Sequence, residues 1–213
     1  MITAASAHST RQDSFEAGKE MASKALSQMD TDRTDFAFLF ASSEHDSEAL
    51  IRGVRSVIGD EAGMAGGTST GVITNDHLGY EGFQAGTMLL ASDDVFFRTH
   101  MTGGLDKGEY ETGVNAGKAL SDIHQLINPN LFLLYDNVQS NPDSPVPFYQ
   151  TTPILDGIRS MIGTFPPVSG IGFATGPDRR SIGMWDANEI TSDAVLSLVV
   201  HGNIRMDTAI MHG

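Results

Sequence analysis

Cysteine is missing from all 213 residues. Its absence excludes disulfides, thiolate metal sites and a cysteine nucleophile, and agrees with a reducing cytoplasm. Basic residues are scarce as well: 13 Lys and Arg stand against 27 Asp and Glu, a formal net charge of -14. Nucleic acid and anionic membranes attract clustered cations, so neither is an expected partner. No apolar run approaches membrane-spanning length, and Met1-Ile-Thr-Ala-Ala lacks the basic start of a secretory signal. With 40% hydrophobic and 19% charged residues the composition is that of a globular chain, which excludes disorder. The expectation is one soluble cytoplasmic domain large enough for a single substantial core.

What the chain does have is a statement made twice. Ile51-Arg-Gly-Val-Arg-Ser-Val-Ile-Gly59 recurs as Leu155-Asp-Gly-Ile-Arg-Ser-Met-Ile-Gly163. Upstream, Phe36 to Phe40 answers Leu131 to Tyr135, with Phe15/Tyr110 and Gly18/Gly113 at the same separation of 95. Downstream, Met64-Ala-Gly66 answers Val168-Ser-Gly170, and Thr70-Gly71 answers Thr175-Gly176. Self-similarity of this kind implies two pseudo-equivalent tandem halves, about 1–95 and 96–204. Residues shared by the copies are expected to serve the fold, and function is to be sought where they differ.

Periodicity fills in the elements. Ile2 to Ala7 reads as a strand, Asp13 opens a helix with Glu16 three residues on, and Phe36 to Ala41 is an apolar run of buried-strand length. A helix from near Asp46 to Gly59 and a glycine-rich strand end at Met64 to Gly71 follow. Ala85 to Ala91 and Val95 to Met101 read as a hairpin. The second copy repeats the order: a helix over about 109–127, a strand at 131–135, a helix at 153–162 capped by Thr152 before Pro153, a glycine-rich segment at 168–176, and a hairpin of 194–200 with 204–211. The fold class expected is α/β, with mixed sheets flanked by helices. Because Ile204 to Gly213 stands where a new unit would open, residues 205–213 are expected to lead into a further domain.

The copies are not the same length between strand and second helix. The separation grows from 95 at Phe40/Tyr135 to 104 at Arg55/Arg159, which puts a nine-residue insertion around Asn141 to Gln150. It reads either as a ligand lid carrying Phe148 and Tyr149 at the carboxyl end of a strand, or as a proline-stiffened surface turn.

Polar residues gather at the strand ends: Ser42, Ser43 and His45 after one strand, Asp136, Asn137, Gln139 and Ser140 after its counterpart. Thr68, Ser69 and Thr70 hold hydroxyls beside glycines that admit a close ligand. With Tyr149, Arg179, Arg180 and Trp185 they form a candidate site for a zwitterion, arginine on its carboxylate and Asp136 on its ammonium. The plainer alternative is that Ser43 and Asp46 cap a helix and the glycines permit tight packing. Gly67-Thr-Ser-Thr-Gly71 also matches the nucleophile elbow of serine hydrolases, with His201 or His212 and Asp136 as partners, but no helix is expected after it. The seven histidines show no metal-ligand spacing, no phosphate-binding loop is present, and neither a metal nor a cofactor is expected.

The full order, with Ile2 to Met29, Phe36 to Ser42, Ala65-Gly-Gly-Thr-Ser-Thr-Gly71 and Gly82-Phe83, resembles the N-terminal FIST domain, a sensory module of signal transduction proteins. The resemblance implies non-catalytic binding of a small ligand such as an amino acid. It also implies a C-terminal FIST domain and a signalling output as partners. Two other functions remain open: the serine hydrolase, and a module that binds another protein without an enclosed pocket.

Overall fold

The structure is a computed structural model that describes residues 1–139, 148–174 and 183–207. The first half runs β1 (Ile2–Ser9), α1 (Ser14–Leu26), β2 (Phe36–Ala41), α2 (Ser47–Ile58) and β3 (Gly63–Thr68). A ribbon of β4 (Val72–Ile73) and β5 (Leu78–Gly79) follows, and then β6 (Ala85–Ser92). The second half runs β7 (Val95–Gly103), α3 (Glu109–Ala119), β8 (Asn130–Asp136), α4 (Thr151–Ile162) and β9 (Val168–Phe173). It closes with a ribbon of β10 (Met184–Asp186) and β11 (Ile190–Thr191), followed by β12 (Ala194–Gly202). Among the described residues the chain is a mixed α/β fold of four α-helices, two mixed sheets and a two-stranded ribbon.

Each half builds a sheet in the same order: β1-β6-β2-β3 in one and β7-β12-β8-β9 in the other. In both, the first three strands pair antiparallel and the last pair is parallel. Three apolar clusters give four layers. Leu39, Met64 and Leu89 pack against Leu50 and Val54 of α2, while Leu133, Val195 and Val199 pack against Ile154 and Ile158 of α4. Phe36, Leu90, Leu134, Leu196 and Leu198 fill the space between the sheets. Strand alternation produces this sandwich, because Phe36, Phe38 and Phe40 face the other sheet while Ala37, Leu39 and Ala41 face the helices.

The residues that recur in the two halves are the ones that let the helices touch. A Cβ on Gly18 would lie 2.2 Å from the Leu50 carbonyl oxygen, and one on Gly113 would lie 2.2 Å from that of Ile154. Gly53 and Gly157 meet the Phe15 and Tyr110 carbonyls in the same way. Ser56 and Ser160 each donate to the carbonyl of that glycine at 2.6 Å. Both second helices end on glycines in the left-handed region, Gly59 at φ +79° and Gly163 at φ +78°. The first two helices start as Asp13 and Asp46 accept from the Glu16 and Ala49 N–H groups.

Several expectations are corrected. Ala85–Ala91 and Val95–Met101 form no hairpin: β6 has both edges taken by β1 and β2, so the chain turns at Asp93 and Asp94 and β7 joins the second sheet. β12 likewise lies between β7 and β8, residues 204–207 are not strand, and 208–213 fall outside the described residues. The helix at 109–127 ends at Ala119, followed by a single 3-10 turn at Ile123–Gln125. Gln150, not Thr152, occupies the cap position of α4, and its side chain makes no capping bond. Phe38 corresponds to Phe132 and Leu39 to Leu133, a separation of 94 rather than 95, because Phe40 faces the other sheet and Tyr135 faces the helices. With Gly53 matched to Gly157, the insertion is ten residues.

Candidate functional site

The strand-end residues fall into two matched clusters. Ser42 Oγ accepts from the Gln84 N–H at 3.1 Å and donates to the Gly82 carbonyl at 2.8 Å. Asp136 holds the same position in the second half: its Oδ2 accepts from the Ala194 N–H at 3.3 Å. The carboxyl differs in having a second oxygen. Asp136 is 1% exposed, and among the described residues Oδ1 has no hydrogen-bond partner. Burial pushes this carboxyl up to about 7, the Ala194 N–H opposes the rise, and neighbouring Asp193 adds to it.

His45 and Tyr149 form the next matched pair. His45 is buried, its Nδ1 is 3.1 Å from Ser14 Oγ, its ring meets Phe83 edge-on, and burial pushes its pKa down so that it stays neutral. Tyr149 is buried and donates to Asp193 Oδ1 at 2.6 Å, and burial together with that bond pushes its phenol pKa up. Tyr149 therefore acts as a pin between the insertion and the start of β12. Of the insertion itself, residues 141–147 lie outside the described residues, while half-exposed Phe148 pairs with Val138.

A cleft of about 790 Å³ opens between the two sheets. Phe38, Phe40 and Met88 form its floor, Phe132, Leu134 and Ile171 its roof. Val72 to Asn75 of the β4–β5 ribbon and Ser169 to Phe173 of β9 stand on opposite sides of it. Among the described residues no ionisable side chain lines it. Two of its hydroxyls are already committed, Thr87 to the Phe38 carbonyl and Ser69 to the Gly71 carbonyl, both at 2.8 Å.

Among the described residues singled out in the sequence, Ser69 and its neighbour Gly71 line this cleft. Thr68 is buried and clasps β10: its N–H donates to the Gly183 carbonyl at 2.8 Å, and its Oγ1 accepts from the Gly183 N–H at 3.0 Å. Thr70 is exposed, and Ser43 and Asn137 are half-buried, each after a different strand. Trp185 is core, with its indole N–H donating to the Leu39 carbonyl. Arg179, Arg180, Ser140 and His212 lie outside the described residues. Of the candidate zwitterion-site residues, Asp136, Asn137 and Tyr149 lie together, the Tyr149 N–H donating to the Asn137 carbonyl at 3.0 Å and its hydroxyl to Asp193 at 2.6 Å, away from Ser69 in the cleft. The aromatic lining was missed, although the alternation Phe36-Ala-Phe-Leu-Phe40 is the signal of a strand with an aromatic face.

The elbow geometry is not formed. Ser69 is followed by β4 rather than a helix, and His201 stacks on Phe96 at the far end of β12 from Asp136. Among the described residues no cluster of His, Asp and Glu could hold a metal ion, and no helix is long and apolar enough to cross a membrane.

No curated protein matches this chain. Among solved structures, a cyanuric acid hydrolase from A. caulinodans is similar at 9% identity and a TM-score of 0.44, over 95% of this chain and 72% of that one. At that distance nothing about its reaction carries over. The family described as FIST N domain matches residues 35–213, and the chain accordingly belongs to the FIST N-terminal domain family of sensory modules in signal transduction.

Proposed function

We propose that this domain is a non-catalytic sensor that holds a small neutral ligand in the cleft between its two sheets. The observation that carries the reading is the lining itself, a cleft of about 790 Å³ walled, among the described residues, by aromatic, aliphatic and small neutral side chains without an ionised group. Such a site favours an apolar body and rejects a bare charge, which would lose its hydration without gaining a partner. An amino-acid-like ligand would accordingly enter with its charges blocked. Asp136 is not among the residues that line the cleft, so it does not offer an ammonium partner there.

Binding would act on the halves. We infer that they arose by duplication, on the strength of their common strand order and the shared Gly18/Gly113 and Gly53/Gly157 contacts. A ligand wedged between the two sheets can alter their relative position only by binding one arrangement more tightly than another. A C-terminal FIST domain and an attached output would read that change.

The test is thermal unfolding of the chain with N-acetyl-leucine amide and N-acetyl-tryptophan amide, beside free leucine and tryptophan. At about 100 times Kd a ligand adds about 2.7 kcal/mol, a rise of roughly 5–10 °C for a domain of this size. The amides should raise the midpoint and the zwitterions should not, and Met88→Trp, which fills the cleft, should abolish the rise. Indifference to all four compounds would count against the sensor.

A further inference from the structure

The two sheets end differently on the side of their parallel strands. In the first sheet the order continues from β3 to β10 and β11, a ribbon contributed by the second half. Among the described residues the second sheet ends at β9. The first half has its own ribbon in the corresponding place in sequence, β4–β5, but this pairs only with itself. Val72 packs into the space over Gly86, and the ring of His77 stacks on His8 at 3.9 Å, so the ribbon is tied down over β6 and β1.

Backbone registers show what each edge offers. Gly63 N–H donates to the Asp35 carbonyl and Ser69 N–H to the Ala41 carbonyl, so the odd-numbered residues of β3 bond β2 and the even ones face outward. Those outward positions are filled: Gly66 lies opposite Trp185, and Thr68 bonds Gly183. On β9, Leu131 and Asn137 N–H groups donate to the Pro167 and Phe173 carbonyls, so Gly170 and Gly172 face outward in turn. Gly66 and Gly170 are counterparts, each lying against the carbonyl of a matched leucine, Leu39 or Leu133. Among the described residues no strand pairs with the outward side of β9.

Space is open on both faces of that missing strand. Trp185, opposite Gly66, fills the slot between its sheet and α2, within a cluster containing Leu39, Leu50 and Val54. The matching slot beside Gly170, beneath α4, is a cleft of about 300 Å³ lined by Leu133, Ile154, Leu155 and Gly172. On the other face lies the cleft of about 790 Å³, reached past Ser169 and Ile171, and Ile171 is 53% exposed.

We propose that β9 takes a short extended apolar peptide as an added antiparallel strand, its backbone pairing with Gly170 and Gly172, its central aromatic side chain entering the slot beneath α4, and its neighbours entering the cleft between the sheets. The chain itself supplies the precedent, since β10 docks on β3 in this manner. Strand addition at a free sheet edge draws affinity from main-chain bonds and selectivity from pockets for alternate side chains. The proposal rests on the reading of the inter-sheet cleft as the ligand site, and it specifies the ligand as a peptide rather than a single residue.

The test is calorimetric titration of the chain with acetyl-Met-Trp-Ala-amide, with the same peptide N-methylated at the tryptophan nitrogen, and with N-acetyl-tryptophan amide. The tripeptide should bind at least about tenfold more tightly than the other two, because methylation removes a main-chain donor while keeping every side chain. Ile171→Lys, a charge placed on an exposed edge, should weaken the tripeptide by a similar factor. Equal binding of the methylated peptide, or binding of the single-residue amide alone, would overturn strand addition and leave the ligand site standing. No binding by any of the three would overturn both. A dimer abolished by Ile171→Lys, with no response to peptide, would assign the edge to a second copy instead.

Discussion

The outward edge of β3 carries a strand, and among the described residues the outward edge of β9, its counterpart, carries none. The halves share strand order, helix contacts and glycine ends, so the difference is not a difference of framework. It comes from the ribbons. One extends across to complete the opposite sheet with Trp185, while the other is held over its own sheet by Val72 and His77. The same framework is thus closed on one side and open on the other, and the open side is where a ligand has room.

A second contrast lies at the strand ends. Ser42 and Asp136 do the same backbone task, but a serine satisfies itself through Gly82, whereas the buried carboxyl leaves Oδ1 without a partner among the described residues. A serine would serve in both places. The carboxyl is therefore a cost to the fold that the framework does not require.

Substitutions can break this comparison or sharpen it. Trp185→Ala should have the largest effect, about 4 kcal/mol lost in chemical denaturation, because it opens in the first half the slot that stands open in the second. Gly53→Ala and Gly157→Ala should each cost about 3 kcal/mol, since either Cβ would fall within 2.3 Å of a carbonyl oxygen on the facing helix. Unequal losses would show that the helix pairs are not equivalent.

Asp136→Ser should come next, and its effect depends on pH. With the folded carboxyl raised from 3.8 to about 7, the fold retains a proton that the unfolded chain releases. Stability is then fully present below about pH 4 and falls as pH rises towards 7. The serine variant should lack that fall and be more stable than the parent at pH 8 by a few kcal/mol, with little difference at pH 4. Parallel pH profiles for the two proteins would refute the assignment. Ile171→Lys should change stability least, within about 0.5 kcal/mol, because the side chain sits on an exposed edge.

Local signals made much of this fold readable. Asp13 and Asp46 begin helices and Gly59 and Gly163 end them because capping depends on a few neighbouring residues. The apolar run at Phe36 to Ala41 is a strand because nothing else buries such a run. The supposed hairpin of Ala85–Ala91 with Val95–Met101 failed for a non-local reason: β2, almost fifty residues earlier in the chain, occupies the edge that β7 would have used. Helix α3 was drawn too long because Leu120 and Ile123 continue an apolar pattern that a 3-10 turn serves equally well.

The candidate site was less legible. Polar residues were chosen for their chemistry, yet Thr68 holds a strand, Ser42 holds a loop and Tyr149 holds Asp193. The cleft is lined by Phe38, Met88, Phe132 and Ile171, residues that look like ordinary core in the sequence. Whether an apolar side chain is packed or left facing a void depends on what stands opposite, and that partner lies up to about a hundred residues away in the chain.

By itself the amino-acid sequence determined the helix ends, the alternating faces of the strands and the paired glycines, since each of these follows from backbone sterics and a short-range pattern. Only the tertiary structure decided which strand edges are covered, where the inter-sheet cleft remains, and that Asp136 keeps an orphaned oxygen. Those outcomes turn on long-range competition for the same edges and the same space, which no local stretch of sequence encodes.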